Sequence, residues 1–425
     1  MERKKITYQN YLKLIIVSIV VSACSALFVY AVKHLTENIE HKMYQATASS
    51  YTFLFIFLPT IGITAIYFLR KHLFKGKKNK GITEIYKTLD HRKDHLPAFK
   101  IPSHLMNGFL TVIFGGSTGI EVSSVVASAT AGNIAYKQKI VAQSFKRELV
   151  CAGVTAAVAI LFVSPLAGFL FAIEVISRKT SKSLLISCGV AALVAWGFIH
   201  VFNDVTVLPF SVQQWNWYAI PFFVILSLMG GGLSVYFTLL VIRIKKMFGN
   251  INNNFIRVNL GALSVGLLIF LFPVLYGDSY LGLTTLIQTS TVSIFVLLCV
   301  FLLKPIAAAL TLGAGGDGGV FAPSIVAGAV MGLFFAKFCN LQFGMELLPL
   351  NFALVGACAT LSASIYAPLT ALILTCNLVP NGYDLFFPLL ISCGLAMLFS
   401  KIILPYNVYT YDFYLQRKKA SEHSV

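Results

Sequence analysis

The chain carries little charge for its length. Of its 425 residues only 12% are charged, against about 25% in an ordinary soluble domain. Hydrophobic residues make up 57% of the chain. This composition excludes a sizeable soluble domain and predicts an all-α polytopic membrane protein. We expect residues 1–425 to form a single transmembrane domain.

Acidic residues are scarcer still, since 16 Asp and Glu stand against 33 Lys and Arg, a net charge of +17. The basic residues form short clusters, which lie near Arg3, between Lys71 and Lys80, and near Arg178, Lys245 and Lys418. In a soluble protein this excess would suggest nucleic-acid binding. In a membrane protein, loops rich in Lys and Arg mark the cytoplasmic side. We therefore expect no nucleic-acid partner, and we place both termini in the cytoplasm.

Paired cysteines are missing. None of the eight cysteines forms a Cys-x-x-Cys motif, and most of them lie within apolar segments. Cysteines in such positions behave as small hydrophobic residues, and they indicate neither a disulfide framework nor a metal site. We accordingly expect no metal ion and no cofactor.

The first apolar segment, from Tyr11 to Val32, is too long for a signal peptide and lacks a clean cleavage site. It predicts a first transmembrane helix, followed by a polar outer loop at residues 34–50 and a second span at residues 51–69. Later apolar pieces, such as Leu105–Phe114, fall short of the roughly 20 residues that cross a bilayer. Transporters use short, glycine-interrupted segments of this kind to bring helix ends to mid-membrane depth.

A glycine-rich bend, Gly115–Gly119, leads into one of the short segments, which begins with a single carboxylate at Glu121. The free N–H groups and positive dipole end of such a helix favour an anion. An ionisable residue within a membrane helix suggests a functional role. The pattern thus predicts an anion site in which Glu121 competes with the anion. The alternative is that Glu121 only caps the helix dipole.

The second half of the chain repeats this plan. Gly313–Ser324 is again a glycine-rich bend before an apolar helix, and in each half an alanine-rich helix and a Pro-Leu segment follow, at Pro165 and Pro368. Interrupted segments at corresponding positions indicate an internal repeat with a site between its halves. We place the first repeat at about 51–203, the second at about 218–404, and a cytoplasmic C-terminal helix and tail at 405–425.

Four ordered blocks resemble the CLC family of voltage-gated-type chloride channels and proton/chloride exchangers. Gly116–Glu121 is similar to the family's Gly-(Arg/Lys)-Glu-Gly-Pro stretch, and Gly318–Pro323 to its Gly-Gly-x-Phe-x-Pro stretch. Lys80–Glu84 is similar to Gly-Ser-Gly-Ile-Pro-Glu, and Tyr409 lies where the family has its pore tyrosine. The order of the blocks extends the resemblance over nearly the whole chain.

The resemblance implies a CLC-type inverted-repeat bundle of many tilted and broken helices, assembled as a homodimer with one anion pathway in each subunit. It implies that Glu121 is the external gate. It also implies that the backbone N–H groups of Val320 and Phe321, together with the hydroxyl of Tyr409, bind the central anion. The residues expected at the inner mouth of the pathway are Lys80, Gly81 and Ile82.

Several family positions are changed in this chain. Ile120 replaces the basic residue before the gating glutamate, and Val122-Ser123 replaces the Gly-Pro pair. Lys80 stands where the family has its pore serine. Two orientations are open for Lys80, into the inner vestibule as an anion attractor or outward into solvent. The run of five lysines that begins at Lys71 favours solvent.

One further departure concerns protons. Exchangers of the family usually carry two adjacent glutamates at the end of the Pro-Leu helix, and the second relays protons. Here the pair is Glu174-Val175. Val175 cannot carry a proton, and we expect Glu174 to be hydrogen-bonded within the bundle. We therefore predict passive transport of chloride and similar monovalent anions, with a proton-coupled chloride or fluoride antiporter as the alternative.

Gly115–Gly119 also matches Gly-x-Ser-x-Gly, the nucleophile motif of serine hydrolases. A hydrolase would need a histidine at the depth of Ser117, whereas His104 and His200 lie near segment ends. We therefore expect a transport protein and not an enzyme. Since no regulatory domain follows the last span, we expect the plasma (inner) membrane of a prokaryote as its location.

Overall fold

A computed structural model describes residues 2–77, 79–91, 93–202, 206–289 and 291–422. These residues form α-helices joined by short turns, and no strand occurs among them. The helices are, in chain order, α1 (Glu2–Ser50), α2 (Leu58–His72), α3 (Ile82–Asp90), α4 (Lys100–Ile113), α5 (Glu121–Lys137), α6 (Lys146–Leu161), α7 (Pro165–Phe171), α8 (Lys182–Phe202), α9 (Ile220–Gly249), α10 (Asn254–Leu271), α11 (Tyr280–Gln288), α12 (Ile294–Ala314), α13 (Phe321–Phe343), α14 (Pro349–Ile365), α15 (Pro368–Cys376), α16 (Phe386–Ile403) and α17 (Tyr411–Glu422).

Eight helical segments in the described part of the chain are long and apolar enough to cross a membrane. They contain α1, α2, α8, α9, α10, α12, α13 and α16. The remaining helices include several that are too short to span a bilayer alone, such as α3, α7 and α15. The prediction of a polytopic helical membrane protein with broken helices is confirmed.

The polar outer loop predicted at residues 34–50 is wrong, because α1 continues without a break to Ser50. Residues 34–50 contain no glycine or proline that would end a helix. Polar side chains on this extension are also buried, among them Thr36, Glu40 and Thr47. The segment therefore packs against the bundle, and packing of one helix face holds it helical in spite of its polar composition.

Small residues let the central helices approach closely. A Cβ atom at Gly132 of α5 would lie 2.1 Å from the carbonyl oxygen of Leu149 in α6. The same contact recurs in the second half, where a Cβ at Gly332 of α13 would lie 2.0 Å from the carbonyl oxygen of Phe352 in α14. Close backbone packing of this kind is typical of membrane helices, because lipid gives no hydrophobic drive for their association.

The two glycine-rich loops that precede α5 and α13 hold each other. The backbone N–H of Ser117 in the first loop donates to Thr311 Oγ1 at 3.1 Å. The backbone N–H of Asp317 in the second loop donates to Thr111 Oγ1 at 2.9 Å. Each loop is therefore fixed by the last helical turns of the opposite half, and the N-termini of α5 and α13 are brought together.

Candidate anion site

Glu121 is the first residue of α5, as the sequence predicted. Its side chain is 5% exposed, and its carboxylate lies directly over Gly119, where a Cβ would be only 2.0 Å from Glu121 Oε2. Only glycine leaves room for the carboxylate in this position. Oε2 has no hydrogen-bond partner among the described residues. A buried carboxylate oxygen without a partner is costly, so its retention points to a role beyond packing.

The N-terminus of α13 lies beside the first turn of α5. Val320 and Phe321, at the start of α13, are both buried. The N–H groups of a first helical turn have no partner within the helix and are available to an anion. A Cβ at Gly319 would lie 2.1 Å from Val122 Cγ2, so the loop before α13 touches the residue that follows Glu121.

A third helix N-terminus reaches the same place. α3 begins at Ile82, which is fully buried, after Gly81 with its positive φ of 61°. A Cβ at Gly81 would lie 3.5 Å from Val122 Cγ1. The positive dipole ends of α3, α5 and α13 thus converge around Val122. Several helix N-termini supply partial positive charge without the strong hold of a full charge.

Tyr409 closes this site from the C-terminal end of the chain. A Cβ at Gly319 would lie 3.3 Å from the Tyr409 hydroxyl, and the Tyr409 and Phe321 ring centroids are 6.4 Å apart. The hydroxyl is buried and has no hydrogen-bond partner in the described part of the chain. Asn407 fixes the turn that carries it, because Asn407 Oδ1 accepts bonds from the N–H groups of Tyr409 and Thr410.

A cavity of about 1120 Å³ opens next to this site. Thr83, which follows Ile82, and Val408, which precedes Tyr409, both line it. Seven of its described lining residues are basic, against one acidic residue, Asp412; the basic ones are Arg70, Lys71, Lys77, Lys80, Lys245, Lys246 and Arg257. A cleft lined by one sign of charge concentrates ions of the other sign. The cavity therefore suits anions.

The structure of Lys80 combines features of the two orientations that the sequence left open. Its side chain is exposed to solvent, and it also borders the basic cavity. The backbone N–H of Lys80 donates to Glu84 Oε1 at 3.1 Å, which folds the chain into the start of α3. Lys80 thus contributes charge to the mouth of the cavity, while Gly81 and Ile82 lie deeper.

Val175 lies in a π-helical segment, Ala172–Ser177, and is buried. Its neighbour Glu174 is hydrogen-bonded as expected. The Glu174 carboxylate accepts bonds from Thr370 N at 2.8 Å, from Thr370 Oγ1 at 2.7 Å and from Leu369 N at 3.2 Å. Glu174 therefore caps the N-terminus of α15, and Val175 offers no group that binds a proton.

Lys304 is a site residue that sequence reasoning missed. It lies fully buried in α12, and its ammonium group donates to Ser117 Oγ at 2.8 Å, to Ser279 Oγ at 2.7 Å and to Gly277 O at 3.1 Å. Glu40 is close by, since its carboxylate accepts a bond from the N–H of Asp278 at 3.2 Å. The sequence feature that could have identified Lys304 is the presence of a lysine within an apolar segment.

Asp317 lies within the second glycine-rich bend, and the sequence alone predicts no role for it. Its carboxylate is 5% exposed and lies 3.1 Å from His104 Nδ1. It also accepts bonds from Asn79 Nδ2 at 2.7 Å and from Ser123 Oγ at 3.3 Å, and Arg70 lies 3.8 Å away. Asp317 is thus the centre of a buried polar cluster below the first turn of α5.

The two histidines that were considered for the hydrolase alternative have other partners than Ser117. Ser117 is fully buried and its hydroxyl accepts a bond from Lys304, whereas His104 is bonded to Asp317. His200 is exposed and stacks on Trp196 at the end of α8. Neither of the two histidines considered in the sequence therefore lies in a position to activate the serine.

Apolar spans, broken helices and an anion-favouring site where helix N-termini meet define a multi-pass membrane protein with a transport pathway. A sequence profile described as "Voltage gated chloride channel" matches residues 61–401. The chain therefore belongs to the voltage-gated chloride channel, or CLC, family.

Two curated relatives carry different functional names. The chain is 27% identical over 352 residues to the "H(+)/Cl(-) exchange transporter ClcA" of Yersinia pestis bv. Antiqua (strain Angola), with 79% of this chain and 72% of the relative covered. It is 26% identical over 322 residues to the "Voltage-gated ClC-type chloride channel ClcB" of Shigella flexneri, with 74% of each covered.

Solved structures share the fold. The structure of a slow cyanobacterial Cl⁻/H⁺ antiporter superposes with a TM-score of 0.80 at 21% identity, over 97% of this chain and 99% of that one. A CLC-type fluoride/proton antiporter superposes with a TM-score of 0.77 at 22% identity, over 93% and 96% of the two chains. The prediction of a CLC-type inverted-repeat bundle is confirmed.

Proposed function

We propose that this chain exchanges chloride, or another small monovalent anion, for protons, and that Glu121 is its gate. The observation that carries the proposal is the pair of unpartnered buried oxygens, Glu121 Oε2 by Gly119 and the Tyr409 hydroxyl by Gly319. The relative named ClcA, an exchange transporter, supports coupling to protons. Proton coupling is thus better supported than the passive transport that the sequence favoured.

The anion is bound by donors and helix ends. The N–H groups at Val320 and Phe321 and the Tyr409 hydroxyl supply the bonds, and the N-termini of α3 and α5 add partial positive charge. The basic cavity, with Lys80 at its rim, supplies anions from the side of the bundle that the positive-inside rule places in the cytoplasm. Bromide soaked into crystals is expected between the Tyr409 hydroxyl and the N-terminus of α13.

The gate works through charge. As a carboxylate, Glu121 occupies the place of the anion at the start of α5; as a neutral acid it no longer competes. Each protonation of Glu121 therefore accompanies the passage of an anion. Glu121→Gln should keep or raise anion flux from reconstituted liposomes, remove its pH dependence, and lower proton flux at least tenfold.

The matched control is Glu346→Gln, which changes an exposed glutamate between α13 and α14. It should transport as the unchanged protein does. A folded Glu121→Gln protein without anion flux would mean that Glu121 is only a structural cap, and the proposal would then be wrong.

A second candidate, passive anion flow, is favoured by one observation, the apolar Val175 at the family's relay position. The reversal potential separates the two. In a passive pathway the zero-flux voltage follows the anion gradient alone. Exchange requires that an imposed pH gradient shift this voltage or drive the anion uphill.

We further propose a homodimer in the plasma membrane, with cytoplasmic termini, repeats at about 51–203 and 218–404, and no enzymatic activity. The reciprocal bonds Ser117–Thr311 and Asp317–Thr111 support the two repeats. Crosslinking in native membranes tests the dimer. Labelling of single cysteines placed near residue 75 and near residue 420 tests the topology.

A further inference from the structure

The groups around Asp317 favour the ionised form of its carboxylate. His104, Asn79 and Ser123 contact its two carboxylate oxygens, and the Arg70 guanidinium lies 3.8 Å from one of them. Hydrogen bonds to an ionised acceptor beside a cation are the strong ones. Asp317 therefore holds its partners in place and is itself a poor carrier of protons.

His104 is the member of this cluster that can bind and release a proton. Its Nδ1–H donates to Asp317, so the lone pair of Nε2 is an acceptor. The side chain is fully buried, and Nε2 has no hydrogen-bond partner among the described residues. Imidazole is the side chain whose ordinary titration falls near neutral pH. An oriented, unpartnered Nε2 is thus a ready proton-binding atom.

The cluster is connected to the basic cavity. Arg70 and Asn79 both line that cavity and both contact Asp317. Asn79 also exchanges hydrogen bonds with Ser103 at 3.1 and 3.4 Å, on the turn of α4 just before His104. Water in the cavity is therefore separated from His104 by polar side chains rather than by an apolar layer.

The cluster is also connected to the gate. Ser123, which donates to Asp317, lies two residues after Glu121 in α5, about 3 Å along the helix axis and about 200° around it. The Glu121 side chain therefore has to leave its position over Gly119 to approach the cluster. A Cβ at Gly108 of α4 would lie 2.6 Å from Ser123 Oγ, so the turn of α4 that follows His104 packs directly on the start of α5.

We propose that His104, oriented by Asp317, is the inner proton-binding residue that serves Glu121 in the place left empty by Val175. The proposal rests on proton exchange as the function. Nε2 takes a proton from hydronium in the cavity water, forming an N–H bond and an imidazolium beside the Asp317 carboxylate and leaving a water molecule. The imidazolium then gives a proton to the Glu121 carboxylate after that side chain rotates away from Gly119, and neutral imidazole and carboxylic acid result.

The charged neighbours of α4 fit this role. Arg70 of α2 faces Asp317, and Glu121 of α5 is the acidic residue on the adjoining turn. Glu40 of α1 lies by the opposite end of α4, where Gly277 is close to both Glu40 and Val112. The Glu84–Lys100 pair is joined to the cluster through Asn79, with Lys100 Nζ 2.8 Å from Glu84 Oε2. A proton arriving on His104 is therefore balanced by Asp317, while Arg70 keeps Asp317 ionised.

Anion and proton fluxes of reconstituted protein test the proposal. His104→Gln keeps an amide donor for Asp317 but cannot carry a proton. It should lower proton flux at least tenfold and leave anion flux within about twofold of the unchanged protein. The control is His200→Gln, on the exposed end of α8, which should leave both fluxes unchanged.

Asp317→Asn gives an independent measurement that loss of packing alone would not produce. Removing the negative charge beside the imidazole weakens proton binding, so the pH of half-maximal proton flux should fall. That shift decides the matter if His104→Gln does not fold. An unchanged ratio of protons to anions in folded His104→Gln, parallel loss of both fluxes, or an unshifted pH profile in Asp317→Asn would overturn the proposal. Absence of proton flux in the unchanged protein would instead refute exchange as the function.

Discussion

Val122 is expected to set the size limit of the anion site. Its two methyl groups face glycines of two different helix N-termini, since a Cβ at Gly319 would lie 2.1 Å from Cγ2 and a Cβ at Gly81 would lie 3.5 Å from Cγ1. In the family pattern this position after the gating glutamate is a glycine. Val122→Gly should therefore open space between α3, α5 and α13 next to the Tyr409 hydroxyl.

The magnitude follows from the atoms removed. Val122→Gly deletes three buried carbon atoms and places a glycine in the first turn of α5. Lost packing and the glycine penalty together should lower the free energy of unfolding by about 2–3 kcal/mol. Forcing excess volume into a packed site costs roughly 1–3 kcal/mol. If the substitution lowers this cost for iodide by only about 1 kcal/mol, the ratio of iodide to chloride flux changes about fivefold.

The assay is efflux from liposomes loaded with chloride, bromide or iodide. In Val122→Gly the ratio of iodide to chloride flux should rise at least fivefold. Val126→Gly, one turn further along the same buried helix, should lose similar stability without a change in that ratio. Equal ratios in the two variants would refute a size limit set at Val122.

Two further predictions concern single bonds at the site. Tyr409→Phe keeps the ring but removes the unpartnered hydroxyl, so chloride binding should weaken about two- to tenfold by calorimetry, as expected for one hydrogen bond; unchanged affinity would exclude the hydroxyl as a ligand. Lys304→Met leaves Ser117 and Ser279 without their common donor and Glu40 without a nearby cation, so the free energy of unfolding should fall by about 3–5 kcal/mol. An unchanged apparent melting temperature would show that the Lys304 network contributes little.

The sequence predicts the broken helices because their causes are local. The glycines before Glu121 and Phe321 mark helix starts, and α5 and α13 do begin at these residues. The predicted end of the first span was wrong for the opposite reason, because the true end depends on distant contacts. The extension of α1 past Val32 is polar, and a polar stretch after an apolar one resembles a loop unless its buried side is known. That burial depends on contacts with parts of the chain more than a hundred residues away.

The polar clusters could be predicted only in part. An intramembrane lysine such as Lys304, or an acidic residue in a glycine loop such as Asp317, is conspicuous in the sequence. What the sequence could not give is the partner, because Asp317 and His104 are 213 positions apart. His104 was considered only as a helper for Ser117, and the fold joins Ser117 to Lys304 instead.

The Lys304–Ser117 cluster and the His104–Asp317 cluster lie at corresponding glycine-rich loops of the two halves, but their hydrogen bonding differs. Ser117 in the first loop is held by Lys304 from the second half, while Asp317 in the second loop is held by His104 from the first half. All three N–H donors of Lys304 are used, on Ser117, Ser279 and Gly277. The Lys304 ammonium thus joins the first glycine-rich loop to the turn at Gly277–Ser279. His104 keeps its Nε2 unpartnered in the described part of the chain, while its Nδ1 is bonded to Asp317, which the cavity-lining residues Arg70 and Asn79 contact. Among the described residues of the Asp317 cluster, His104 combines an unpartnered acceptor with a fixed counter-charge, which a residue that passes protons to Glu121 requires.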